Sequence, residues 1–140
     1  IKKLTKNAPV YTKTMTAENT IGYDHINSAI SSAIAGMYGA NMINCTASYE
    51  NASCMTSTQA KESIVCAKIS ANCANLTNNN IKATRLNTES IKAMNEKDWQ
   101  KQIKNSVDNS SSDTIKEQYK LPDYFLTKEN SEILKNFIEE

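Results

Sequence analysis

The sequence predicts an all-α fold, a small helical bundle containing a disulfide-stapled antiparallel helical hairpin. Three observations predict it. Apolar residues recur at three- and four-residue spacing along several segments. No window alternates apolar and polar residues with strand composition. Four cysteines, Cys45, Cys54, Cys66 and Cys73, fall close together in the middle of a 140-residue chain.

Taken in order, residues 1–20 lack a helical stripe, and Pro9 with Thr12, Thr14 and Thr16 predicts an extended N-terminal arm. Residues 21–140 then read as a single helical domain, a length that can bury a core of its own. The first helix is predicted from about Asp24 to Ile43. Ile26, Ile30, Ile34, Met37 and Tyr38 share one face, expected to point into the core. Ser32, Gly36 and Ala40 form a second row, small enough for another helix to approach closely. Ala47 to Met55 reads as a polar connection.

The second helix is predicted to start at Thr56, where Thr56 and Gln59 fit a capping box. Its apolar face carries Cys66, Ile69, Cys73 and Leu76, and Asn78 to Asn80 end or bend it. A third helix is predicted from Ile81, or from a cap at Asn87, to about Asn105, with Ile91, Met94, Trp99 and Ile103 on its face. Ser110 to Ser112 reads as a loop, and Pro122 breaks a short turn after it. Thr127 caps a last helix bearing Ile133, Leu134, Phe137 and Ile138.

The cysteines carry the sharpest expectation. No CxxC pair occurs, so neither a zinc site nor a redox motif is indicated, and no metal site is expected. Two disulfides are favoured over four buried thiols. Cys66 and Cys73 are two turns apart on one helix, roughly 10 Å by its rise, beyond the roughly 7 Å a disulfide spans. Both must therefore bond backward. An antiparallel hairpin predicts nested pairs, Cys54 with Cys66 and Cys45 with Cys73. Disulfides imply an oxidising compartment, hence a periplasmic or secreted protein. The chain opens on Ile1 rather than Met, which fits removal of a signal peptide.

Charge is nearly balanced, with 16 basic and 15 acidic residues, so no nucleic-acid partner is expected. No apolar run reaches the roughly 18 residues of a transmembrane segment. The four Asn-X-Ser/Thr sequons, at Asn44, Asn51, Asn75 and Asn109, read as chance matches in a chain rich in these residues.

Chemistry is sparse. His25, the only histidine, stands beside Asp24 at the start of the first helix. An Asp–His pair can orient a general base, but no nucleophile accompanies it, and a solvated helix start is the plainer reading. No catalytic residue and no cofactor is expected. Tyr119, Tyr124 and Phe125 cluster near Pro122, whose fixed φ limits the freedom lost on docking. Trp99, Leu121, Pro122, Tyr124 and Phe125 are therefore the expected protein-binding residues. The functional expectation is an exported, non-enzymatic interaction module whose partner is another protein. A secretion or conjugation accessory subunit, or an inhibitor or immunity protein, would fit. A small-molecule carrier with an inter-helix cavity and an enzyme with a dispersed site are the alternatives.

Overall fold

A computed structural model describes residues 2–13, 17, 19–50 and 54–108. Its elements are β1 (Tyr11–Thr12), α1 (Asp24–Met37), β2 (Met42–Ile43), α2 (Ser57–Thr77), α3 (Ile81–Asn95) and α4 (Trp99–Lys104). The chain divides into two compact units, Ile1–Ala83 and a second beginning at Thr84.

The first unit corrects the all-α expectation. β1 and β2 pair in parallel, Tyr11 with Met42 and Thr12 with Ile43. Parallel strands need a crossover rather than a hairpin, and α1 is that crossover. β1 lies inside the segment read as an arm. β2 lies in the stretch read as the end of the first helix. The reason is Gly39. Its φ of +100° lets the amides of Gly39 and Ala40 bond back to the carbonyls of Gly36 (3.1 Å) and Ala35 (2.9 Å). This is a Schellman stop, which a side chain at φ > 0 would strain. The chain then turns at Asn41. The amides of Asn41 and Met42 both donate to the Val10 carbonyl (2.8 and 3.1 Å), and the Asn41 side chain accepts from the Val10 amide (3.1 Å). Strands of two residues are too short to leave an alternating signature, so the sequence could not announce them.

α2 starts where expected. The Thr56 hydroxyl accepts from the Gln59 amide (3.3 Å), and the Gln59 side chain accepts from the Thr56 amide (2.8 Å), completing the capping box. α2 packs along α1. A Cβ added at Gly36 would stand 2.6 Å from the Ala74 Cβ, and the Asn78 side chain donates to the Gly36 carbonyl (3.1 Å). Both contacts join the C-terminal ends of the helices, so α1 and α2 run in the same direction. The antiparallel hairpin is therefore corrected to a β–α–β–α unit with parallel helices.

The buried faces also differ from expectation. α1 buries Asp24, Asn27, Ser28, Ser31, Ser32 and Gly36, and α2 buries Ser63, Ser70 and Ala74. The small row around Ser32 and Gly36 makes the close approach, as its composition predicts. The aliphatic stripe does not: Ile26, Ile30, Ile34 and Met37 are all exposed, Ile30 by 55%. On α2, Ile69 is exposed as well. Among the described residues the buried apolar side chains are alanines only, Ala47, Ala74, Ala83 and Ala93.

The disulfides are a further correction. Cys45, Cys54, Cys66 and Cys73 are all free thiols. The Cys45 thiol donates to the Ser63 hydroxyl at 3.4 Å, one turn before Cys66. Cys73 lies ten residues past Ser63, about 15 Å along the helix. Neither nested pair, Cys45–Cys73 nor Cys54–Cys66, forms. The physical cause is again the strand: Cys45 follows β2 and enters a loop toward the start of α2, instead of lying antiparallel to it.

In the second unit, the helix predicted to run to Asn105 is broken. Lys97 takes φ +53°, and the Asp98 amide bonds back to the Ala93 carbonyl (2.8 Å). Asp98 then caps α4 by accepting from the Lys101 amide (3.0 Å). Ala93 is fully buried, whereas Ile91 and Met94 on the expected core face are exposed. Arg85–Glu89 and Lys92–Glu96 form i,i+4 pairs at 3.8 Å on the surface, and such pairs add little.

Candidate functional site

In parallel α/β structures, ligands collect outside the carboxyl ends of the strands. Here those ends are Thr12 and Ile43. The loop after β1 leads into the start of α1, and the loop after β2 leads into α2. A side chain of α1 pins the first loop to the helix: the Asn27 side-chain amide donates to the Ala17 carbonyl (2.6 Å) and the Thr20 hydroxyl (2.9 Å).

The two loops meet at Gly22. The ring of Tyr49 occupies the space where a Gly22 Cβ would project, its nearest atom 2.8 Å away. Tyr49 itself is held at φ +59°, a conformation that costs a bulky residue of order 1–2 kcal/mol. A short turn holds it there: the Glu50 amide donates to the Ala47 carbonyl (3.2 Å), and the Ala47 amide donates to the Glu50 carboxylate (2.9 Å). Thr46, Ala47 and Ser48 are buried in consequence. Asn44, just beyond β2, accepts from the Tyr11 hydroxyl (3.2 Å) and donates to the Thr46 hydroxyl.

Against this well-bonded frame, several polar groups stand out. Asp24 is only 4% exposed and opens α1, where the free amides of the first turn favour a negative charge. No hydrogen bond or ion pair to its carboxylate occurs among the described residues. His25 Nδ1 and Thr12 Oγ1 are buried and lack a hydrogen-bond partner among them. Buried polar groups are rarely left so. Ser28 and Ser32 hydroxyls are also unpaired, but they belong to the small-residue row facing α2. Asp24, His25 and Thr12 lie instead at the carboxyl end of the sheet. The plainer reading of Asp24 and His25 as a solvated helix start is thus corrected: one is buried, the other half-buried. Their adjacency in sequence was visible, but nothing in the sequence marked β1 and β2, which give the pair its place.

Elsewhere, Trp99 opens α4. Leu121, Pro122, Tyr124 and Phe125 lie outside the described residues, as does the last predicted helix. A shallow, open cleft of about 530 Å³ in the second unit is lined by Glu89, Asp98, Gln100, Lys101, Lys104 and Asn105. Its two acids and two lysines balance in charge. Burial, and next the nearby Glu62 and Cys45, push the Cys66 thiol above the usual cysteine range.

Residues 1–127 match the Radical SAM ThiC family. The chain is 33% identical over 118 residues to the phosphomethylpyrimidine synthase of Methanocaldococcus jannaschii, covering 84% of this chain and 28% of that protein. It is 36% identical over 108 residues to the phosphomethylpyrimidine synthase of Desulfitobacterium hafniense, covering 76% and 25%. It is also 30% identical over 118 residues to the 5-hydroxybenzimidazole synthase of Moorella thermoacetica, covering 84% and 27%. The chain thus spans about a quarter of the length of these curated relatives.

Radical chemistry with S-adenosylmethionine implies an iron–sulfur cluster, which requires several thiolates converging on one point. This chain's cysteines do not fit that demand. All four are described, and no three metal-ligating side chains gather among the described residues. No step through a cluster is therefore derived from these residues.

The family match overturns the functional expectations. The relatives are synthases, so the exported, non-enzymatic interaction module is corrected to a chain from an enzyme family. The periplasmic or secreted placement falls with it, since it rested on disulfides that do not form. Its match over nearly the whole sequence, with relatives above 30% identity, makes this chain a member of the Radical SAM ThiC family.

Proposed function

We propose that the chain serves in the synthesis of a phosphomethylpyrimidine, as a β–α–β–α segment of a synthase whose strand ends face the substrate. The observation that carries this reading is the family match over residues 1–127, with relatives of that name at up to 36% identity. On this reading Asp24 and His25 contact the substrate. Asp24 offers an acceptor for its N–H or O–H groups, and His25 Nδ1 supplies a second polar contact. The match to a 5-hydroxybenzimidazole synthase supports a second reading, in which the same segment serves that product.

The test is made in the organism that carries the gene. Disrupting the gene should deplete the phosphomethylpyrimidine measured by mass spectrometry in extracts. Depletion of 5-hydroxybenzimidazole instead would favour the second reading, and no change in either would refute both. Asp24→Asn and His25→Ala at the native locus should each lower the product at least tenfold with the protein level unchanged. Full product from both variants would remove them from the site.

A further inference from the structure

We infer that Tyr49 is a positioning residue: its ring, seated on Gly22, fixes the start of α1 and with it the Asp24 carboxylate at the strand ends. The inference rests on the reading of Asp24 as a substrate contact and adds to it the residue that holds Asp24 in place. The first observation is conformational. Tyr49 stands at φ +59°, where a bulky side chain is an outlier. Asn79 and Lys97 also take positive φ, but each stops a helix, and Tyr49 stops none. Backbone in such a conformation persists only where its surroundings impose it, and it collects at functional sites. Here the buried run of Thr46, Ala47 and Ser48 anchors the turn, and the ring is what the turn presents.

The second observation is what the ring touches. Cζ, Cε1 and Oη of Tyr49 lie 2.8, 2.9 and 2.9 Å from the place that a Gly22 Cβ would take. Gly22 is buried and sits at φ +88°, so the ring edge packs on bare backbone two residues before Asp24. Between them Tyr23 opens α1, its carbonyl accepting from the amides of Ile26 (3.0 Å) and Asn27 (3.1 Å). The third observation is that Tyr23 makes no side-chain capping bond, whereas the Thr56 and Asp98 side chains cap α2 and α4. Without a side-chain cap, the start of α1 depends on contacts from outside its first turn. The Asn27 side chain ties down the more distant part of the loop, Ala17 and Thr20. The Tyr49 ring, reaching across from the loop after β2, holds the part next to Asp24. Phenylalanine retains Cζ and Cε1 and reproduces this contact; a small side chain does not.

The test separates the ring from the turn that carries it. Asparagine tolerates the left-handed region, so Tyr49→Asn keeps the turn and removes the ring. In the 140-residue chain, amide exchange followed by nuclear magnetic resonance should quicken at least tenfold at Ile26 and Asn27 in Tyr49→Asn, because local opening governs exchange. The Ala60 amide, bonded to the Thr56 carbonyl in the first turn of α2, should keep its rate. Tyr49→Phe should match the unmodified chain at all three. At the native locus, Tyr49→Asn should lower the product at least fivefold with the protein level unchanged, and Tyr49→Phe should recover most of that loss. Added to Asp24→Asn, Tyr49→Asn should cause no further loss, since it acts through Asp24. Unchanged exchange at Ile26 and Asn27, or equal quickening at Ala60, would overturn the inference, as would a phenylalanine variant that behaves like asparagine. Full product from Tyr49→Asn where Asp24→Asn depletes it would overturn the inference alone. Full product from both would overturn the reading of Asp24, and the inference with it.

Discussion

Gly36 is the position where a single atom decides packing. A Cβ there would stand 2.6 Å from the Ala74 Cβ, closer than real Cβ atoms approach. Gly36→Leu should therefore overpack the α1–α2 contact and cost about 1–3 kcal/mol, despite leucine's better helix propensity. A urea midpoint that rises on this substitution would refute the contact. The cysteines offer a second residue-scale measurement. Mapping without reduction should recover four free thiols. Cys66 is half-buried and its pKa is raised, so it holds less thiolate near neutral pH than an ordinary cysteine. It should be the slowest of the four to alkylate at pH 8, since the thiolate is the reacting form. A group that keeps its proton longer when folded stabilises fully below its unfolded pKa and loses that contribution as pH rises through the folded one. Unfolding midpoints should fall on the alkaline side of the ordinary thiol range, and Cys66→Ala should flatten that fall.

Elements in this chain are set by their ends more than by their faces. Three helices stop by the same local device, a residue with positive φ after the last turn: Gly39, Asn79 and Lys97. α2 opens on a complete capping box, and Thr56→Ala should cost about 1 kcal/mol. Thr56→Ser should restore most of it, a comparison that thermal unfolding checks. Gly39→Val would place a branched side chain at φ +100°, undoing the stop that releases β2, and should destabilise by more than 1 kcal/mol.

At the scale of the whole molecule, the first unit brings two parallel strand ends, the start of α1 and the Tyr49 turn to one place. It does so with an interior of alanine, glycine and small polar side chains, Asp24, Asn27, Thr46 and several serines among them. Apolar burial supplies most folding free energy, and here the large aliphatic groups contribute little of it. The isolated chain should unfold with a shallow denaturant dependence, at or below about 1 kcal/mol/M in urea, because that slope tracks the surface newly exposed. A steep, cooperative transition in the chain alone would contradict the exposed stripe.

By itself the sequence determined what depends on neighbouring residues. The start of α1 at Asp24, the capping box at Thr56 and Gln59, the stop at Asn78 to Asn80 and the close-packing row at Gly36 were all legible, because each rests on contacts within a few residues or on side-chain size. Only the tertiary structure decided the rest. Two-residue strands have no period to read, yet their parallel pairing reverses the direction assumed for α2 and separates Cys45 from Cys73. The isoleucines of α1 have the spacing of a core face, and spacing cannot say what stands opposite. Asp24 and His25 were visible as neighbours, but their burial at the strand ends follows from long-range pairing between Val10–Thr12 and Asn41–Ile43. Local chemistry writes helix ends into the sequence, whereas the direction of packing and the partner of an apolar face are settled only when distant segments meet.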